Sequence, residues 1–136
     1  MSNSAYPYVA SAQACRFSVT QVVSKVRAWY DIAQNDCLGL LRRLSTSPVA
    51  VGLDANTMMF YKSGVFTDTS CNPNAINHGV VVVGYGTDSV SKKNFWIVRN
   101  SWGTAWGELG YIRMDRDVQT ATGICGICTA ATYPTV

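Results

Sequence analysis

The sequence predicts a mainly β domain of the α+β kind, an antiparallel sheet curled into a β-barrel with one or two short helices outside. Three observations carry this. Short runs rich in Val, Ile, Tyr and Trp recur along the chain, separated by Gly, Pro, Asn, Asp and Ser. Two of these runs, 77–86 and 95–102, lie close enough to form a hairpin. Helical spacing is confined to one stretch, after Asn35 and Asp36. The 136 residues amount to a single domain, taken as 1–136, with enough chain for a sizeable core.

Residues 1–24, rich in Ser, Ala and Tyr, read as an extended approach, and 25–30 as a weakly alternating strand. Asn35 or Asp36 is a good N-cap, because a short polar side chain can accept a first-turn N–H. Leu38, Leu41 and Leu44 then recur every third residue with Leu40 alongside, an amphipathic helix. Arg42 and Arg43 suit its C-terminal dipole, and Ser47-Pro48 ends it, because the residue before proline is pushed out of the helical region. Val49, Val51 and Leu53 alternate with the small Ala50 and Gly52, a half-buried strand. Residues 61–66 form a turn into a short strand, 109–114 form another, and 129–133 a last one before Pro134.

The two long apolar runs are read as antiparallel strands around a loop centred near residue 90. That symmetry puts His78 opposite residues 100–102, beside Asn100. A histidine oriented by an amide is two parts of a Cys-His-Asn arrangement.

Composition excludes several classes. Hydrophobic residues make up 48% and charged residues 14%, the balance of a folded protein. The net charge is +3 and basic residues are scattered, so no nucleic-acid surface is expected. No apolar run approaches the ~18 residues of a membrane span, so no membrane is expected as partner. The first residues have neither the basic nor the apolar region of a signal peptide.

Five cysteines leave at least one unpaired within the chain. Gln13-Ala14-Cys15-Arg16 mimics a caspase nucleophile segment, but Phe17 stands where glycine is required and no histidine lies upstream. Cys125-Gly126-Ile127-Cys128 lacks a thioredoxin-like setting and a second ligand pair for zinc. Gly84-Tyr85-Gly86 lacks the third glycine of a dinucleotide loop. No cofactor and no metal are expected.

Asn77-His78-Gly79, Val83-Gly84-Tyr85-Gly86 and the segment from Trp96 through Asn100-Ser101-Trp102-Gly103 to Trp106-Gly107-Glu108-Leu109-Gly110-Tyr111 together resemble the papain-like cysteine proteases, within them the cathepsin L-like branch. Tyr6-Pro7-Tyr8, Ser47-Pro48-Val49-Ala50-Val51, Cys125-Gly126-Ile127 and Tyr133-Pro134 agree, so the resemblance spans the chain. It implies a two-lobed enzyme with its site in the cleft between lobes. The nucleophile belongs to a Cys-Gly-Ser-Cys-Trp-like segment of the first lobe, after an oxyanion-hole glutamine. The usual cysteine-to-histidine separation is ~130–150 residues; only 77 residues precede His78, and none reads that way. The chain is therefore expected to be the C-terminal lobe of a cysteine endopeptidase, inactive alone, as a fragment, one chain of a processed enzyme or a truncated homologue. The alternative is a non-catalytic interaction or structural protein derived from such a lobe.

The resemblance makes His78 the general base and Asn100 its orienter, with Trp102 covering their contact and Trp106 lining the leaving-group side. It places Gly52, Asn77 and Ala130 at the pocket for the substrate residue second before the cut, which small side chains would leave deep and apolar. Cys71 and Cys125 become a disulfide within the lobe, and Cys15 a half-cystine whose partner lies in the other lobe. Cys37 and Cys128 depart from the common pattern and stand open as free thiols or an extra bridge. The implied partners are the N-terminal cysteine lobe or another protein chain, with a peptide as substrate once completed. A face left bare around His78 and Trp102 predicts self-association or capture of another chain. The family compartment is lysosomal, vacuolar or secreted.

Overall fold

A computed structural model describes residues 1–136. The chain divides into two compact units, one of Met1–Trp29 with Pro134–Val136 and one of Tyr30–Tyr133. The first unit is largely irregular, with a single 3-10 turn at Val19–Gln21. Arg16 stacks its guanidinium over Tyr6, 4.9 Å from the ring centre, and the Arg27 N–H donates to the Thr135 carbonyl at 2.8 Å.

The second unit carries nearly all the regular structure. Strands β1 (Ala28–Ile32), β2 (Val49–Leu53), β3 (Val65–Phe66), β4 (His78–Thr87), β5 (Asn94–Arg99), β6 (Tyr111–Asp115) and β7 (Ala130–Thr135) form one sheet in the order β1-β7-β2-β4-β5-β6-β3. One helix, α1 (Cys37–Leu44), accompanies it. The β2–β4, β2–β7, β4–β5 and β5–β6 pairs are antiparallel. The β3–β6 pair is parallel within this mainly antiparallel sheet. Residues 67–77 lead the chain away from β3 before the β4–β5 hairpin begins, so β3 joins β6 as a two-residue edge without a tight turn to reverse it.

Alternation decides which face is core. Val49, Val51 and Leu53 are buried while Ala50 and Gly52 lie half open, as their spacing requires. Val82, Val98, Ile112 and Met114 cover the same core, with Trp96 and Met58 filling its bulk. Asp36 is the cap of α1, its Oδ1 accepting the Gly39 N–H at 2.7 Å. The apolar stripe differs from the expected one. Leu40 is fully buried at its centre, flanked by Cys37, Leu41 and Leu44, whereas Leu38 is 53% exposed. At 100° per residue Leu38 falls to the side of that stripe, although its three-residue spacing from Leu41 imitates membership.

The first strand begins at Ala28 rather than Lys25, and β7 continues through Pro134. Two disulfides tie the loops down. Cys71 bonds to Cys125, and Cys37 to Cys128, with Cα atoms 5.2 and 5.1 Å apart. Cys37 and Cys128 are thus an extra bridge, and Cys15 is free and exposed.

Candidate functional site

The β4–β5 ladder runs from Thr87–Asn94 to Val81–Arg99, with an irregularity at Val83. His78 lies beyond its end and is paired instead with Leu53 of β2. Asn100 lies one residue past β5. The hairpin still brings the two side chains together, His78 Nε2 being 2.9 Å from Asn100 Oδ1.

One neighbouring bond defines the protons. The Ser101 N–H donates to Asn100 Oδ1 at 2.7 Å, so the amide must present oxygen there. An oxygen accepts, so His78 Nε2 carries hydrogen and donates. In the neutral ring Nδ1 is then the nitrogen with the free lone pair. The Asn100 backbone is held in turn, its N–H donating to the Gly110 carbonyl at 3.0 Å. Asn100 Nδ2 is buried without a partner.

The tryptophans form a chain of contacts over this pair. The Trp102 ring lies 5.0 Å from the imidazole at a 30° tilt, and Trp106 meets Trp102 edge-on at 5.0 Å. Trp106 packs on Tyr61 at 5.7 Å and donates its indole N–H to the Met59 carbonyl at 3.3 Å. Trp102 covers one face of the imidazole and keeps 38% exposure itself, and His78 is half-buried.

A second feature lies on the same sheet. Gly79, Gly52 and Ala130 stand side by side across β4, β2 and β7. This row of small residues floors a pocket of about 890 Å³, walled by Ile32, Val81 and Thr129 among others. A side chain at Gly52 would meet Ile76 Cγ2 at 2.7 Å and Ala130 Cβ at 3.7 Å, so Ile76 overhangs the glycine. Asn77 is not among the lining residues. Its Nδ2 donates to Asp54 Oδ1 at 2.7 Å and its Oδ1 accepts the Ala55 N–H at 2.9 Å. Asp54, only 2% exposed, also accepts the N–H groups of Asn72 and Asn56. Those backbone donors, with Asn77, hold its carboxyl below the usual range despite burial. Asn77 therefore braces the entry to β4, one residue before His78.

Several contributors were not legible in the sequence. The Ser101 N–H and the Gly110 carbonyl are backbone groups with no sequence signature. Glu108 stands inside the quoted motif and Arg113 two residues past its end, but only the fold shows that they form a two-pronged ion pair. No set of three or more His, Cys, Asp and Glu side chains is arranged around a metal position.

Comparison with known proteins shows the family of the chain. The profile of the papain family of cysteine proteases matches residues 1–135, and the chain belongs to that family. Vignain of Vigna mungo is 45% identical over 132 residues, covering 95% of this chain and 36% of its own length. Procathepsin L of Felis catus is 37% identical, covering 99% of this chain and 41% of its own. The solved structure of bromelain from Ananas comosus, in complex with the inhibitor E64, superposes with a TM-score of 0.90 at 40% identity, over 99% of this chain and 62% of that one. Procathepsin L 3 from the larval midgut of Tenebrio molitor gives 0.91 at 44%, over 100% and 44%. The chain thus spans roughly a quarter to two fifths of the length of the curated relatives it matches. It is a papain-family cysteine protease domain in part, β-rich and disulfide-bonded.

Proposed function

We propose that this chain supplies the histidine-bearing wall of a papain-like cysteine endopeptidase. The observation that carries the reading is the His78–Asn100 bond, whose direction the Ser101 N–H determines. With Nε2–H committed to Asn100, Nδ1 is the ring atom free to take a thiol proton and form a thiolate–imidazolium pair. The protonated ring then returns that proton to the leaving amine as the peptide bond breaks. Asn100 keeps the ring plane through both steps, and Trp102 keeps water off the bond. Trp106 lines the leaving-group side.

The thiol comes from residues outside 1–136. Four of the five cysteines are bridged, and Cys15 stands in no Cys-Gly-Ser-Cys-Trp-like segment. The 136 residues alone are inactive, because nucleophile and base act as a unit. Their partner is a cysteine-bearing lobe, facing the small-residue row of Gly52, Gly79 and Ala130 across a cleft that stays open to the peptide. Gly52, overhung by Ile76, and Ala130 receive an apolar side chain such as Leu or Phe second before the cut. Two disulfides suit an oxidising compartment, lysosomal, vacuolar or extracellular.

The test joins this chain to the cysteine-bearing half of a homologous papain-family protease and follows cleavage of fluorogenic peptides. The reading expects turnover that favours Leu or Phe over Asp or Arg at that position and disappears in His78→Ala. A folded, joined protein that turns over nothing, or keeps turning over without His78, refutes it.

A further inference from the structure

The loop 101–110 turns through four left-handed residues, three of them glycines that take up this backbone readily. Gly103, Gly107, Leu109 and Gly110 all have positive φ, at 87°, 56°, 55° and 91°. Leu109 is the costly member, since a non-glycine residue is strained there, and its side chain is 76% exposed with no core to hold it. Most of the loop's hydrogen bonds run within the loop and to the adjacent Asn100 and Tyr111, such as Gly110 N–H to Trp106 O at 2.8 Å and Trp106 N–H to Gly103 O at 3.3 Å. Beyond these, the Trp106 side chain packs on Tyr61 and donates to the Met59 carbonyl, and one ionic attachment ties the loop to the sheet.

Glu108 supplies that ionic attachment, between two of the left-handed residues. Its carboxylate takes Arg113 in a fork, Nε to Oε2 at 2.9 Å and Nη2 to Oε1 at 2.8 Å. Oε1 also accepts the Gly64 N–H at 2.9 Å. Arg113 sits within β6, in register with Ile97 of β5 and Val65 of β3, so its backbone cannot drift. Its remaining nitrogen, Nη1, donates to Asp88 Oδ2 at 2.8 Å, on the β4–β5 turn. The guanidinium is thus clamped from both sides, and a planar fork fixes Glu108 in orientation as well as in place.

We propose that Glu108 is a positioning residue for the His78–Asn100 pair, acting through Arg113. It pins the strained loop so that Trp102 stays over the imidazole and the Gly110 carbonyl stays on the Asn100 N–H. This rests on the reading of His78 and Asn100 as the catalytic pair, but its test needs no turnover. Ring geometry and turnover are read separately, so failure of the one is distinguishable from failure of the other.

The test is nuclear magnetic resonance on the 136-residue chain and on Glu108→Gln and Arg113→Lys. Glutamine turns an N–H toward a guanidinium that has only donors; lysine keeps the charge and loses the fork. The His78 ring protons report the Trp102 ring current, and the Nε2–H exchange rate reports the Asn100 bond. The expected result is that the ring-current displacement falls by about half or more in either variant. Exchange at Nε2 accelerates about tenfold or more. The backbone amides of β2, β4 and β5 keep their shifts. Unchanged His78 signals in both variants overturn the proposal. So does loss of the sheet amides together with the loop in both, because Glu108 would then hold the fold rather than the site.

Discussion

Removing the Cys37–Cys128 bridge is the sharpest test of how this unit is held together. Its half-cystines are 91 residues apart, and a loop of that length, closed in an otherwise open chain, is worth about 4.6 kcal/mol at 25 °C in the chain-entropy treatment. The second bridge changes that figure. With Cys71 and Cys125 still joined, an unfolded chain passes from Cys37 to Cys71 and then from Cys125 to Cys128, a path of only about 40 residues. The entropy gained on cutting Cys37–Cys128 shrinks accordingly, to about 4 kcal/mol. Native contacts change little, because Leu40 and Ile127 keep both ends packed. The double variant Cys37→Ala/Cys128→Ala should therefore lose about 4 kcal/mol in urea unfolding. The slope should rise slightly as the less cross-linked denatured state exposes more surface. A loss below about 1 kcal/mol would refute the reasoning, since the bridge would then constrain an ensemble that is already restricted.

Three further outcomes follow from the geometry. In the joined enzyme, Asn100→Ala should lower kcat about 10- to 100-fold, the kinetic equivalent of one hydrogen bond to a charged group, with peptide KM little changed. Acid should destabilise the unit. The carboxyls of Asp54, Glu108 and Asp117 lie below their ordinary values, held by the Asn72 N–H, by Arg113 and by Asn94 respectively. Their contribution is full above the unfolded value of about 4 and is lost as pH falls through the folded values, so thermal melts should drop steeply below about pH 4. Asp54→Asn should flatten that drop. Leu40→Ala should cost about 2–5 kcal/mol in denaturant unfolding, whereas Leu38→Ala should stay within about 0.5 kcal/mol. Equal losses would place the helix stripe wrongly.

Much of the site was legible because its signals are local. Asp36 caps α1 through a residue three positions on, and Val49, Val51 and Leu53 point inward because a strand alternates. The approach of His78 to Asn100 followed from folding two apolar runs about a loop near residue 90. The irregularity at Val83 left that conclusion intact, since it shifts the register by one residue in the ladder but leaves His78 at the same end. Where spacing misled, as at Leu38, two sets of leucines shared similar intervals and burial alone chose between them. Asn77 shows a different gap. Its place beside His78 was plain, but its bonds to Asp54 and Ala55 depend on a carboxylate 23 residues earlier.

The sequence by itself determined the class of fold, the strand faces, the helix cap and the residues of the candidate pair. The cap and the strand faces depend on side chains within a few positions of one another, and the pair on two apolar runs folded about one short loop. Tertiary structure alone decided the partner of Cys37, the parallel seat of β3, the Ser101 N–H that orients Asn100, and the Glu108–Arg113–Asp88 clamp. Apart from the Ser101 N–H, a backbone group whose direction the local turn sets, those contacts join groups whose meeting depends on how the whole sheet is threaded, and a single chain of letters carries no distance between them.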